Sequence, residues 1–331
     1  LFTAPARLQH RSSPSTWFLN LILTAFGLAA VLAATPMATV LAWTALDIVE
    51  LIILIRLIDD ARLSGQAVIA FSAKVAGTLV LLWAMVQSYA SGNALNYADT
   101  QLSLGVFLLL AAGVRLGVLP LNLPYPSSLP LQRGLSNMLR MTTQASGLVV
   151  LARLPAGIYS GIWMNVLLVL TGLATLYGSA MWVTAKSEID SRQYWSLALA
   201  GFAVAATLHG NQQAVLTWGM VLIISGGIIS FYSARNRSLL FVPILGLIGM
   251  VGLPFTPAAA GIAGFAAPPL LIWDLLFFLS LAMLIAGYIR LSLMAGDSFV
   301  DLERWVIGVY PPGLIILAVS GWLIAVLSHP G

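Results

Sequence analysis

Apolar stretches of membrane-crossing length follow one another along nearly the whole chain, separated by short polar links. With roughly 20 apolar residues as one crossing, the pattern predicts helices over 17–34, 36–57, 66–89, 103–124, 134–154, 159–184, 193–209, 213–232, 238–264, 268–290 and 304–327. This amounts to about eleven transmembrane helices. The alternating ten-residue segments of a membrane barrel are missing. The fold class expected is an all-α membrane protein.

Proline and glycine interrupt two of these helices. Gly117-Val118-Leu119-Pro120 breaks 103–124, and Gly252-Leu253-Pro254, followed by Pro257, breaks 238–264. Each broken helix is the fourth of a five-helix block, and an odd number of crossings inserts the second block upside down. Breaks at matching places in two halves point to inverted repeats. The organisation expected is a polar segment at 1–16, a first five-helix repeat at 17–154, a second at 155–293, and one C-terminal transmembrane helix within 294–331.

Composition agrees with this pattern. Hydrophobic residues make up 60% and charged residues 8% of the chain, against about a quarter charged in soluble domains. There is no cysteine, which excludes disulfides and thiolate metal sites. Three scattered histidines (His10, His209, His329) cannot form a His-cluster site within this chain. No nucleotide loop, zinc motif or nucleophilic triad is present, so no active site and no cofactor is expected. The net charge of +4 resides between apolar segments, which is loop charge and not a nucleic-acid surface. Arg7, Arg11, Arg56, Arg62, Lys186, Arg192, Arg235, Arg237, Arg290 and Arg304 all fall on one predicted side. Arg153, Asp99 and His209 fall on the other. The positive-inside rule then places the N-terminus in the cytoplasm and His329 outside a cell membrane. Residues 1–16 lack the short apolar core of a signal peptide. A start at Leu1 fits a processed or truncated end. Most tryptophans fall near helix ends, as interface anchors do.

Candidate chemistry comes from charges placed at membrane depth, where they are costly. Arg115 lies five residues before Pro120. Asp47 and Glu50 lie three residues apart on the predicted helix 36–57 and share a face. Two such close carboxylates do not readily hold charge together, which suits a proton acceptor. Lys74, in the third crossing, is a partner for either acid. Arg140, in the fifth, either lines the mouth of a half-channel or snorkels to the surface. Asp274 stands alone near the outer end of 268–290. The proton-path candidates are therefore Asp47, Glu50, Arg115, Lys74 and Arg140. The alternative is that these groups pair and hold helices together.

The order of motifs resembles the antiporter-like family, the proton-translocating membrane subunits of respiratory complex I and of multisubunit sodium/proton antiporters. Arg115, with Leu116-Gly-Val-Leu-Pro120-Leu-Asn-Leu-Pro124, is similar to that family's broken helix, where a lysine precedes a proline by five residues. Gly147 to Arg153, Glu188 to Ser196, Gly252-Leu-Pro254-Phe-Thr256 and Trp43-Thr44 follow in the places of further family motifs. The resemblance covers most of 36–262 and implies family helices four to fourteen, with the first three lacking a counterpart. The departures are specific. Thr44 stands where the family's glutamate belongs and Arg115 where it has lysine. Leu139 lies near its histidine. Thr217, Val221, Ser225 and Ile262 occupy further titratable positions. Lysine can carry protons because burial readily lowers its pKa. Arginine stays protonated, so Arg115 is a fixed charge.

Two functions fit. In the first, the chain is a degenerate subunit of a larger proton-handling membrane complex with a partial proton path in the first repeat. In the second, it is a structural membrane subunit derived from a transporter. Either implies other integral membrane subunits and lipids as partners. Protons are partners under the first, and nucleic acid under neither.

Overall fold

Helix α2 illustrates how the chain enters and leaves its helices. Thr35, in extended conformation, caps the helix by accepting from the Ala38 amide at 3.2 Å, and Pro36 opens the first turn. Proline fits there because its missing N–H would have no intrahelical partner. In this computed structural model, the described residues are 14–58, 61–92, 95–97, 102–123, 133–155, 162–186, 188–232, 239–266, 273–294 and 304–328.

The helices are α1 (Pro14–Leu32), α2 (Pro36–Leu57), α3 (Ala61–Ala90), α4 (Leu102–Leu116), α5 (Arg133–Ala152), α6 (Ile162–Thr184) and α7 (Glu188–Leu208). They continue as α8 (Gln212–Met220), a π-helical stretch (Val221–Ser225), α9 (Gly226–Phe231), α10 (Phe241–Met250), α11 (Ala259–Ala266), α12 (Asp274–Leu293) and α13 (Arg304–Ser328). Among the described residues there is no strand. Among the described residues six helical spans are long and apolar enough to cross a membrane, and shorter apolar helices lie among them. Leucine, isoleucine and valine side chains line the outer faces (Leu41, Ile48, Ile69, Leu170, Leu279, Ile316). Such surface suits lipid or partner subunits rather than water. The protein is an all-helical, multi-pass membrane protein.

Helices α1 to α5 close into a ring: α1 packs on α2, α2 on α3, α3 on α4, α4 on α5, and α5 back on α1. In the rest of the molecule α6 lies between α7 and α12, α7 reaches α8, and α8 reaches α11. Helix α5 touches α7, α8 and α9 and thereby joins the two parts. Helix α13 lies against α9, α10 and the π stretch.

Both interruptions use the same device. Gly117 and Gly252 adopt φ of 80° and 76°, a conformation in which glycine is unhindered. The freed amides turn back into the preceding helix: Val118 and Leu119 donate to the Gly113 carbonyl at 2.9 and 3.2 Å, and Ala258 to the Gly249 carbonyl at 2.9 Å. Pro124, which closes the predicted piece beyond the first break, lies outside the described residues, as does most of the polar segment 1–16. The pattern of 213–232 predicts one uniform helix, whereas a π stretch splits it at Val221–Ser225. There Trp195 Nε1 donates to the Leu222 carbonyl at 3.2 Å, and Ser225 Oγ donates to the Gly246 carbonyl at 3.3 Å. These tertiary bonds supply partners for a wider turn.

Candidate functional site

The inward face of α2 carries Trp43, Asp47 and Glu50, spaced four and three residues apart. Helical geometry stacks such positions on one side. All three are buried, while Thr44 next to Trp43 is exposed on the outer face. The five charged residues singled out from the sequence are all buried: Asp47 and Glu50 at 2% exposure, Lys74 and Arg140 at 3%, Arg115 at 1%.

Four of the five form two ion pairs. Arg115, in the last turn of α4, meets Asp47 side by side, with Nη1 to Oδ2 at 2.8 Å and Nη2 to Oδ1 at 2.7 Å. Its Nε donates to Ser146 Oγ on α5 at 3.3 Å, and its guanidinium lies 4.5 Å from the centre of the Trp43 ring. The planar fork suits this bidentate grip, and the indole face adds cation–π attraction. Gly77 on α3 permits the close approach of α4, since a β-carbon there would come within 2.8 Å of the Ala111 carbonyl oxygen. The second pair joins Lys74 Nζ on α3 to Glu50 Oε2. The other Glu50 oxygen, Oε1, accepts from the Thr143 hydroxyl on α5. Ser146 Oγ in turn donates to the Thr143 carbonyl at 2.7 Å. Helix α5 thus touches both pairs.

The two pairs differ in chemistry. Arginine cannot give up its proton in a protein, so Arg115 is a fixed positive charge beside Asp47. Lysine and glutamate can both change state. Moving one proton from Lys74 Nζ to Glu50 Oε2 turns an ion pair into a neutral amine and a neutral acid, with no change in total charge.

Arg140 is buried and does not snorkel. With Asn137, Ser191, Arg192 and Ser230 it lines a small cavity with room for about one water. Arg192 Nη1 donates to Asn137 Oδ1 at 3.0 Å and Nη2 to the Ser230 carbonyl at 3.3 Å. Asp274 is not alone: it is 2% exposed, and its Oδ1 lies 3.3 Å from His209 Nε2. In the α3–α4 connection burial pushes the Tyr97 phenol above its usual value of 10.0, opposed by the bond to Thr39 and the nearby Arg153 charge.

Sequence reasoning missed Thr143, Ser146, Asn137 and the His209–Asp274 contact. A signal existed on α5. Asn137, Arg140, Thr143, Gln144 and Ser146 recur at helical spacing and are all buried, a polar stripe turned inward.

No family model and no curated protein sequence matches this chain. Solved structures do. A chain of respiratory complex I from Thermus thermophilus superposes with a TM-score of 0.72 at 17% identity, over 98% of this chain and 81% of that one. A chain of the Mrp complex from Dietzia sp. DQ12-45-1b superposes with a TM-score of 0.73 at 16% identity, over 97% of this chain and 40% of that one. The protein therefore has the fold of chains found in these two complexes.

Proposed function

We propose that this chain is a degenerate antiporter-like membrane subunit of a larger proton-handling complex, with a partial proton path in its first repeat. It assembles with other integral membrane subunits and lipids. Its about eleven crossings form inverted repeats at 17–154 and 155–293 plus a C-terminal helix, with the N-terminus in the cytoplasm. Glu50 and Lys74 exchange the proton. Asp47 and Arg115 provide a fixed charge pair beside them, and Arg140 lies at the approach from the side of Arg192.

The observation that supports this most is the buried Glu50–Lys74 contact, a carboxyl and an amine in direct contact, inside a fold shared with complex I and Mrp chains. Asp47 and Arg115 also lie within one turn of the positions where the resemblance places an acid and a lysine. The test is proton flux in liposomes holding the whole assembly. Glu50→Gln and Lys74→Met each reduce flux at least about tenfold, the effect of roughly 1.4 kcal/mol on a barrier, while the assembly stays intact.

The second reading, a purely structural subunit, has its own support. Thr217, Val221, Ser225 and Ile262 stand where the resemblance expects titratable groups in the second repeat. Wild-type flux in an intact Glu50→Gln assembly would establish that reading instead.

A further inference from the structure

The Thr143 hydroxyl has one proton and two acceptors within reach. It contacts Glu50 Oε1, and it lies 3.1 Å from the Leu139 carbonyl oxygen, one turn earlier on its own helix. One hydroxyl proton cannot serve both at once. A charged carboxylate is the stronger acceptor, since hydrogen bonds to ionised groups are about twice as strong as neutral ones. A neutral carboxyl loses that advantage, and the peptide carbonyl, always available at α-helical spacing, becomes the better acceptor.

Resting on the proton-exchange reading of Glu50 and Lys74, we infer that Thr143 is a positioning residue whose hydroxyl follows the charge on Glu50. With the pair ionised, Lys74 Nζ holds Oε2 and Thr143 holds Oε1, so both oxygens of the carboxylate are engaged. When the proton passes from Lys74 Nζ to Oε2, the N–H bond breaks and an O–H bond forms. The electron pair stays on the amine, and the total charge remains zero. The Thr143 hydroxyl then turns to Leu139 without giving up its own proton. Ser146 keeps the pivot in place by bonding the Thr143 carbonyl while receiving from Arg115. The threonine therefore favours the charged state of Glu50 and releases it at the moment of transfer.

The charged groups around Glu50 are distributed over the neighbouring helices. On α2 itself, Asp47 is held by Arg115 from α4, and Arg56 is exposed two turns along. Lys74 comes from α3, and Arg140 lies one turn before Thr143 on α5. The α1 sequence, Pro14–Leu32, has no charged side chain. Thr143 is a neutral donor that contacts the carboxylate in the structure.

The test uses the whole assembly in liposomes and records flux against pH. Thr143→Val keeps the side-chain shape and removes the donor. Without that hydrogen bond the pH of half-maximal flux rises by about one unit, a tenfold change in proton concentration and the worth of one hydrogen bond to a charged group. Thr143→Ser restores the wild-type profile, and Thr143→Ala reproduces the shift should the valine variant fail to assemble. A merely structural threonine would lower the amount of assembled protein and leave the profile in place. An unshifted profile in the valine or alanine variant, or no restoration by serine, overturns the role of Thr143. The proton-exchange reading is judged separately by Glu50→Gln: undiminished flux there overturns that reading, and this inference with it.

Discussion

At the scale of single residues, the two ion pairs respond differently to loss of one partner. Removing Arg115 by Arg115→Met leaves the Asp47 carboxylate buried without its bidentate partner. Breaking a buried pair in this way costs about 3–5 kcal/mol, because the remaining charge is uncompensated. The double variant Asp47→Leu/Arg115→Met removes both charges and recovers most of that loss, since an apolar replacement of a buried pair is often near neutral. Thermal unfolding of the solubilised protein separates the cases: Arg115→Met melts well below wild type, and the double variant melts close to it. Much of this site was legible in the sequence. Asp47, Glu50, Lys74 and Arg115 stand out because charge is rare in apolar helices, and the three-residue spacing of the acids placed them on one face. Which acid meets which cation was not legible. That choice depends on the register of α3 and α4 beside α2, which tertiary packing sets and no local pattern encodes. The hydroxyls of Thr143 and Ser146 were harder still, since serine and threonine are common in membrane helices and their usual partner is the carbonyl one turn back.

At the scale of elements, glycine sets how closely helices approach. Gly178 lies where α6 meets α7, and a β-carbon there would lie 3.0 Å from the Ala198 amide nitrogen and 3.1 Å from the Tyr194 carbonyl oxygen. Both are backbone atoms in the middle of a helix and cannot step aside singly. Gly178→Ala is therefore expected to push α6 from α7 and to destabilise the protein by about 1–3 kcal/mol, the range for overpacking. Gly65, near the start of α3, has nothing within 4 Å of its would-be β-carbon. Gly65→Ala removes only the helix penalty of glycine and is expected to stabilise by about 0.5–1 kcal/mol. Unfolding midpoints of the two variants should move in opposite directions. The same scale explains what the pattern conveyed about helices. The breaks at Gly117 and Gly252 were visible because glycine and proline fall together in long apolar runs. The π stretch at Val221–Ser225 was invisible because its residues are ordinary helix formers. The bonds that accompany it come from Trp195, on α7, and from Ser225 to Gly246, on α10.

At the scale of the whole molecule, the proposed inverted repeats make a claim about sides of the membrane. If the second five-helix block is the first turned over, the first connection in each block must lie on opposite faces. Those connections are the α1–α2 link at Ala34 and the α6–α7 link at Lys186, both exposed. Basic residues collect on the predicted side of Lys186, which the positive-inside rule assigns to the cytoplasm. Ala34 should then face outward. The sequence contains no cysteine, so an introduced thiol is the one maleimide target within these 331 residues. In intact cells, a membrane-impermeant maleimide is expected to label Ala34→Cys and to leave Lys186→Cys untouched until the membrane is permeabilised. Labelling of both from outside would remove the inverted arrangement. The reverse result would keep the inversion and turn the molecule over, placing the N-terminus outside against the charge rule. Neither position touches the ion pairs, and Ala34 precedes the Thr35 cap without replacing it. The labelling therefore tests the arrangement in the membrane independently of whether Glu50 and Lys74 move a proton.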